Sequence, residues 1–474
     1  MKKITIDPVT RIEGHAKITI DLDDSGKVTN ARMHVTQLRG FEKFCVGRPF
    51  TEMPSLTART CGICPVSHLI SASKACDMIL AVKPPHTGRQ LRRVINLAQI
   101  MQSHALNFFH LSSPDLLLGF DAPKEDRNIF NLIKTHPDIA RNGIGLRAFG
   151  QKIIEQLGGK RIHPGWIVPG GVSHKLEPEI KDWILKGIPE QIKVTRDILD
   201  WFKKEIKNFN EEIRTFANYP TLFLGLVNDN GELEHYDGKV RVMDHIGKIV
   251  ADKLDPREYQ SYIGEAVEED SYLKSPFYKP FGYPNGVYRV GPLARLNIAD
   301  RCGTPIADEE HAEFKSLERG PILSSFFYHY ARLIEIIYCL EKIEMILKTD
   351  DILDPHIRSF AEPNRLEGIG MSEAPRGTLM HHYRIDENGL ITFANLIIAS
   401  GNNNLAMNHG VYQVAKHFID GNNITDGALN RVEAVIRAFD PCLSCSTHAI
   451  GKMPLMLELR DSNKKIVDIK TRGI

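Results

Sequence analysis

Cysteine is scarce: eight in 474 residues, too few to staple a chain of this size as a secreted disulfide scaffold. A surplus of charge is missing as well. Sixty Lys and Arg against 59 Asp and Glu leave a formal net charge of +1, which gives no electrostatic footprint for nucleic acid or an anionic membrane surface. No apolar run reaches the roughly 18–20 residues that cross a bilayer, so direct membrane insertion is not expected. Internal repeats and low-complexity linkers are also lacking. The start, Met1-Lys2-Lys3-Ile4-Thr5-Ile6-Asp7, enters an alternating pattern with neither an apolar signal region nor a twin-arginine stretch. The expected location is cytoplasmic, although a protein without its own signal can travel on a partner. With 42% hydrophobic and 25% charged residues, the chain is an ordinary folded one. Its length suits about three domains or one large interwoven unit with a deep core.

The pattern predicts an α+β fold that is mainly helical. Ile4 to Ile6, Ala16 to Leu22 and Ala31 to Val35 alternate as strands, and Asp23-Asp24-Ser25-Gly26 makes a hairpin turn between the last two. Three apolar stripes at helical spacing follow. They run Leu91, Val94, Ile95, Ile100, Met101, Ala105, Phe108; then Ile198, Phe202, Ile206, Phe209, Ile213, Phe216; then Leu333, Ile336, Ile337, Leu340, Ile343, Leu347. They read as core seams of a helical bundle. Residues from about 219 to 300, rich in Gly, Pro, Tyr and Asp, read as a short-strand insertion. A strand pair turning at Asp386-Glu387-Asn388-Gly389 is expected after Pro375.

Four of the eight cysteines fall into two C-x-x-C pairs at opposite ends of the chain: Cys61 and Cys64, then Cys442 and Cys445. A C-x-x-C puts two sulfurs on one side of a turn, close enough to share a metal. Each pair leads into a segment that can start a helix, where backbone N–H groups favour thiolate. Three readings stay open at this level: a structural four-cysteine zinc site, a redox dithiol that uses one pair, and a catalytic soft-metal site. Zinc knuckles usually sit in small local modules, and a zinc site made of four thiolates does not require the histidines, His68 and His448, that follow the pairs.

These motifs, together with Asp7-Pro8-Val9-Thr10-Arg11-Ile12-Glu13-Gly14-His15, Arg39-Gly40-Phe41-Glu42, Glu373-Ala374-Pro375-Arg376-Gly377 and Asp440-Pro441-Cys442, resemble the large subunit of [NiFe] hydrogenases. The resemblance runs from Asp7 to past His448. The length and Leu443-Ser444 inside the last motif look like the soluble, multimeric, bidirectional branch, which includes NAD-reducing enzymes. The quinone-module subunit of respiratory complex I shares the fold but lacks the cysteine quartet, which this chain has.

The resemblance implies a large helical core with an N-terminal sheet and small β insertions, whose end motifs meet at a buried metal site. It implies reversible heterolytic cleavage of H2 at a nickel–iron centre whose iron carries carbonyl and cyanide. Cys61 and Cys442 would be terminal nickel ligands; Cys64 and Cys445 would bridge to iron. Arg376 would place a guanidinium above the iron and Ser400 a hydroxyl on a cyanide, although Ala399-Ser400-Gly401-Asn402 departs from the commoner proline-led version. Glu13 would accept the proton, against an ordinary ion pair with Arg11 or His15. Asp115 and Asp440 would complete a polar canopy with Arg376. Asp440 could equally be a capping residue. Glu42, His448 and the carbonyl of Leu396 would hold magnesium, and His104, His110 and His163 would supply hydrogen bonds around the centre.

Cys45, Cys76, Cys302 and Cys339 have no cluster spacing, and no dinucleotide fingerprint is present. An iron–sulfur small subunit is therefore the expected partner, with flavin- and NAD-binding subunits beyond it. By the family pattern a maturation chaperone and an endopeptidase would also act: residues 1–448 form the catalytic unit, and 449–474 a removable tail. In that tail Leu455 to Leu459 and Ile466 to Ile469, around Asp461-Ser462-Asn463-Lys464, suggest a hairpin. The non-enzyme alternatives are a structural subunit of the same fold holding zinc, or a complex-I-like electron-transfer subunit.

Overall fold

Alternation at the start of the chain builds a three-stranded antiparallel sheet, Lys2–Ile6, Ala16–Leu22 and Val28–Val35, in sequence order. Ile18 and Ile20 point into the core while Lys17 and Asp21 stay nearer solvent, the period-2 division expected of a sheet with one face covered. The computed structural model describes residues 2–268, 271–421, 424–448, 455–460 and 466–472.

The sheet lies on the main hydrophobic core, which the long helices His86–Leu106, Pro137–Gly158, Pro178–Glu205, Tyr328–Leu347, Asn404–Phe418 and Asp426–Phe439 share. The first and third apolar stripes are fully buried, as their spacing requires. The second is not one helix. Pro178–Glu205 passes through a 3-10 turn, Ile206–Phe209, into the short helix Asn210–Thr215, so Ile206 and Ile213 are only partly buried. The helix His86–Leu106 runs on through a π-helical turn, Asn107–Ser112, into Ser113–Leu118. That widening re-aims the chain and carries Asp115 inward.

Among the described residues the expected insertion holds six strands between Leu222 and Arg289, and it ends in a buried helix, Pro292–Ile298, that the Gly- and Pro-rich composition hid. The strand pair after Pro375 is present, Gly377–Ile385 with Ile391–Ile397. A third strand, Glu367–Ala374, precedes it and pairs with Gly377–Ile385 so that Ala374 faces Gly377. Pro375 and Arg376 are thus the two-residue tip of a β-hairpin, a placement not read from the motif alone.

The helix Pro65–Ile79 packs along Glu367–Ala374 at very short range. A Cβ on Gly370 would lie 2.0 Å from the Ser71 carbonyl oxygen, and one on Gly368 2.1 Å from that of Ala75. Only glycine permits that approach, and Ser71 Oγ meets Ser372 Oγ at 2.7 Å across the seam. A second apolar cluster lines the seam and includes all four paired cysteines. In the tail, Leu455–Arg460 and Ile466–Arg472 pair antiparallel with each other, as expected; the turn at Asp461 to Lys464 and the junction at Ala449 lie outside the described residues.

Candidate metal centre

Cys61 leaves the short helical turns before it in extended backbone, and Cys64 immediately precedes Pro65, the first residue of helix Pro65–Ile79. Proline suits that position because its missing N–H has no helical partner anyway. The turn aims the Ile63 and Cys64 N–H groups at Cys61 Sγ, at 3.3 and 3.0 Å. At the other end Asp440 closes helix Asp426–Phe439 in the left-handed conformation, φ 56°, which Asp tolerates better than most side chains. Cys442 then enters a single helical turn, Leu443–Ser446.

The N-terminal motif fixes that turn. Glu13 bridges Cys442 in parallel register, the Leu443 N–H donates to the Glu13 carbonyl at 3.2 Å, and the Ser444 N–H donates to Glu13 Oε2 at 3.1 Å. No ion pair of Glu13 occurs among the described residues: Arg11, the suggested partner, donates instead to Asp115 at 2.6 Å. The Glu13 carboxylate is half-buried and lies beside the second cysteine pair.

All four sulfurs converge. Cys61 and Cys64 are 2.9 Å apart, Cys442 and Cys445 2.7 Å, Cys61 and Cys442 3.3 Å, and all four lie within 4.8 Å of one another. None is in a disulfide and all are buried. Hydrogen bonds from Cys442, Cys445 and Cys61 hold the Cys64 thiol well below its usual range, whereas burial pushes Cys442 and Cys445 well above theirs. A cation of soft character would stabilise further thiolates here. The other four cysteines behave as packing groups: burial raises all of them, Cys45 to about 12.

Arg376 reaches this cluster from its hairpin tip and is 3% exposed. Its Nε donates to the Asp440 carbonyl at 2.5 Å, its Nη2 to Asp440 Oδ1 at 3.1 Å, and its Nη1 to Ser103 Oγ at 3.3 Å. Burial works against its charge, but Asp440 and the neighbouring thiols outweigh that and raise its pKa well above normal. Ser400 Oγ accepts the Cys442 N–H at 2.7 Å. A cavity with about 10 Å³ open to a water centre lies between these groups, lined by Cys64, Cys442, Arg376, Ser400 and apolar atoms of Pro375 and Leu379. It is of the order of one small molecule.

Asp440 therefore joins Arg376, while Asp115 is engaged elsewhere. Its carboxylate takes Arg11 at 2.6 Å, Arg437 at 2.5 Å and the Asn430 amide at 3.0 Å, and no bond to Arg376 is present among the described residues. Buried Arg332 donates to the Ala438 carbonyl at 2.6 Å; burial, eased by Asp440, leaves its pKa at about 10. Arg332 and Arg437 carry no local motif, so the sequence offers no signal for them.

Glu42 Oε1 accepts both the Leu396 N–H at 2.8 Å and the Lys274 ammonium at 2.7 Å; Lys274 also reaches Asn395 and Glu265, at 2.9 and 3.2 Å. The Leu396 N–H thus ties its strand to Glu42. Burial raises the Glu42 carboxyl, with Lys274 opposing. His448 is buried with neither ring nitrogen hydrogen-bonded, and burial lowers it to about 3. His68 Nδ1 meets His381 Nε2 at 3.1 Å. Of the three remaining histidines, His163 Nε2 donates to the Cys61 carbonyl at 3.0 Å, His104 Nε2 meets Glu335 at 2.7 Å, and His110 is partly buried near Arg147.

Residues 39–134 and 228–448 match the family described as nickel-dependent hydrogenase, and residues 3–38 one described as HoxL-like. The chain is 39% identical over 487 residues to the NAD-reducing hydrogenase HoxS subunit beta of Cupriavidus necator, covering 99% of this chain and 100% of that one. It is 30% identical over 455 residues to the sulfhydrogenase 2 subunit alpha of Pyrococcus furiosus, covering 94% and 99%. Among solved structures, an NAD+-reducing [NiFe]-hydrogenase in the H2-reduced state superposes with a TM-score of 0.92 at 42% identity, covering 94% of this chain and 100% of that one. The Ni-Fe-Se hydrogenase of D. vulgaris Hildenborough, at 24% identity and a TM-score of 0.77, shares the fold.

Proposed function

The chain belongs to the nickel-dependent hydrogenase family, as a catalytic large subunit acting on H2, and from that premise we propose how its own residues divide the work. The observation that carries the reading is the convergence of Cys61, Cys64, Cys442 and Cys445 from opposite ends of the chain into one buried cluster. Four sulfurs are the donor set that nickel and iron accept. By the family pattern Cys61 and Cys442 would be ligands of nickel alone, and Cys64 and Cys445 would be shared with the iron. The small, largely apolar cavity beside Cys64 and Cys442 suits carbonyl and cyanide on that iron, with Arg376 and Ser400 as the donors facing it. When bound, the two metals supply the redox couple and Lewis acidity for heterolytic cleavage of H2.

Glu13 takes the proton. Its carboxylate is held against the turn that bears Cys442, lacks a cationic partner among the described residues, and is half-buried. Arg376 and Asp440 hold a fixed charge pair over the centre and keep it dry; Asp115 acts by anchoring Arg11 and Arg437. Magnesium is proposed between Glu42 and His448, with the Leu396 carbonyl as a further ligand. The orphaned ring nitrogens of His448 support it, while Lys274 already neutralises part of Glu42.

This chain lacks the cluster-spaced cysteines needed to carry electrons away. We therefore assign them to an iron–sulfur small subunit and then to flavin- and NAD-binding subunits in the cytoplasm; the NAD-reducing relatives support the NAD-linked part of that assignment. A chaperone and an endopeptidase would complete maturation by removing residues 449–474. The family match ends at residue 448 and the solved relative accounts for 94% of this chain, whereas the curated relative accounts for 99%. Active protein should give an intact mass ending at His448; full activity at the mass of 474 residues would refute the cut.

Glu13→Gln tests the proton role. It keeps shape and hydrogen bonding but removes the acceptor, so H2 turnover and H/D exchange should fall by roughly 10²–10⁴-fold with metals retained. Near-normal turnover in a metal-replete variant would remove Glu13 from the mechanism.

A further inference from the structure

The tip of the hairpin that carries Arg376 is held from behind by a second buried arginine. Arg295, on helix Pro292–Ile298, is fully buried. Its Nη1 donates to the Ala374 carbonyl at 2.9 Å and its Nη2 to the Pro375 carbonyl at 3.3 Å, the two peptide groups leading into Arg376. Its own fork is locked: Nε and Nη2 each donate to Glu335 at 2.6 Å, and Nη1 donates to Glu373 Oε2 at 2.8 Å. Glu373 is itself tied across the hairpin, accepting from Thr378 Oγ1 at 2.7 Å and from the Leu226 N–H at 3.1 Å.

The bracket closes on Arg376 through one helix. Ser103 and His104 are neighbours on His86–Leu106. Ser103 Oγ accepts Arg376 Nη1, and His104 Nε2 binds Glu335, which clamps Arg295. The guanidinium head of Arg376 and the backbone behind it are therefore referenced to the same turn of the same helix. A two-residue hairpin tip has few internal contacts of its own. Gly377 at this tip also adopts φ 134°, where a Cβ would sit 2.2 Å from Val290 Cγ2, so the backbone on the far side is confined too.

We propose that Arg295, clamped by Glu335 and Glu373, is the positioning residue that sets where Arg376 stands over the metal cavity. Arg295 contacts neither the sulfurs nor the cavity; it acts through Arg376. A planar fork with five donors in fixed directions is what this junction needs, because it satisfies two carboxylates and two carbonyls at once. Lysine keeps the charge but not the fork. The proposal rests on the reading of Arg376 as the donor facing the cavity, so its test needs one readout that does not depend on turnover.

That test uses the assembled hydrogenase with Arg295→Lys, Arg376→Lys, the double variant, and Glu341→Gln. Glu341 caps helix Pro305–Ser316 from the same helix as Glu335 and does not touch the hairpin; it controls for general destabilisation and should leave turnover unchanged. Crystal structures should show the Arg376 guanidinium displaced from Asp440 and Ser103 in Arg295→Lys, and unmoved in Glu341→Gln. Turnover in Arg295→Lys should fall roughly ten- to hundred-fold, as for a misplacement of about 1 Å, with KM for H2 within about twofold. In the Arg376→Lys background the same change should cost less than about twofold, because its effect passes through a group already gone. If Arg295→Lys does not assemble, Glu335→Gln replaces it, since it loosens the same fork with its shape kept. Arg376 unmoved in a variant that has lost activity would overturn the proposal, as would losses that multiply in the double variant. Arg376 displaced with full turnover would instead overturn the role given to Arg376 and leave the bracket as packing alone.

Discussion

The two halves of the metal cluster are built in opposite ways. Cys64 sits at the start of a fifteen-residue helix, Pro65–Ile79, buried almost throughout and pressed against the strand Glu367–Ala374 through glycines. Cys445 sits on one helical turn, Leu443–Ser446, that is too short to stand alone. Contacts from distant parts of the chain hold it: Glu13, Ser400, the Gly40 N–H to the Thr447 carbonyl at 3.1 Å, and a bridge from Leu273 to Thr447. One half belongs to a self-supporting helix–sheet seam. The other is assembled by clasping, and it directly precedes the tail. The difference teaches what each pair depends on: the first on one local seam, the second on four distant parts of the chain at once.

Breaking either half at its sulfur should have the largest effect. Cys64→Ser and Cys445→Ser should each bring nickel to background, because a hydroxyl would not replace a thiolate as ligand to a soft metal. Cys302→Ser and Cys339→Ser, in the core away from the cluster, should keep nickel and cost about 1–2 kcal/mol. Elemental analysis of the four purified proteins decides it; equal nickel loss in all four would erase the distinction between ligand and packing cysteines.

A smaller lesion separates the two supports. Gly370→Ala places a Cβ 2.0 Å from the Ser71 carbonyl oxygen and should pry helix Pro65–Ile79 from its strand. The expected loss is about 1–3 kcal/mol by overpacking, read from denaturant midpoints, with nickel occupancy falling in parallel. Gly145→Ala, on a helix with nothing within 4 Å of the new Cβ, should be neutral or stabilise by about 0.4–1 kcal/mol. Equal midpoints for the two variants would show that the seam is looser than its glycines imply.

The cluster and its motifs were legible in the sequence because C-x-x-C, the Glu13 motif and the hairpin residues are local patterns. The three-stranded sheet and the first and third helical stripes were legible for the same reason: their period survives in ten or twenty residues. What stayed hidden is long-range. Arg295, Arg437 and Lys274 look like any surface cation until the fold sets them against carboxylates, and Arg332 until it is buried on the Ala438 carbonyl. The strand Glu367–Ala374 lacks alternation because helix Pro65–Ile79 covers one face and its glycines make room for that helix. The second stripe failed because its period continues through a 3-10 turn that breaks the helix.

A further expected effect, which leaves the metal site alone, is on the acid side of stability. Burial lowers His329 to about 3, with Arg332 adding to this and Asp115 opposing; it packs against Phe108 and Phe326 with Nδ1 unbonded. The unfolded chain binds this proton below about pH 6.5 and the folded chain does not until about pH 3. Stability therefore falls as pH drops through that window, by about 1.4 kcal/mol per unit for one proton. His329→Phe should flatten the slope between pH 6 and 4 by about one proton and leave nickel untouched. An unchanged slope in urea midpoints across that range would place the proton elsewhere.

The most direct test of a single bimetallic centre clasped from both ends of the chain is metal analysis of the purified, H2-oxidising complex, paired with its infrared spectrum. Nickel and iron near one each for this subunit, with bands from carbonyl and cyanide, are the predicted result once the iron of the small subunit is subtracted. One zinc in the four-thiol site, with neither nickel nor those bands, would contradict it.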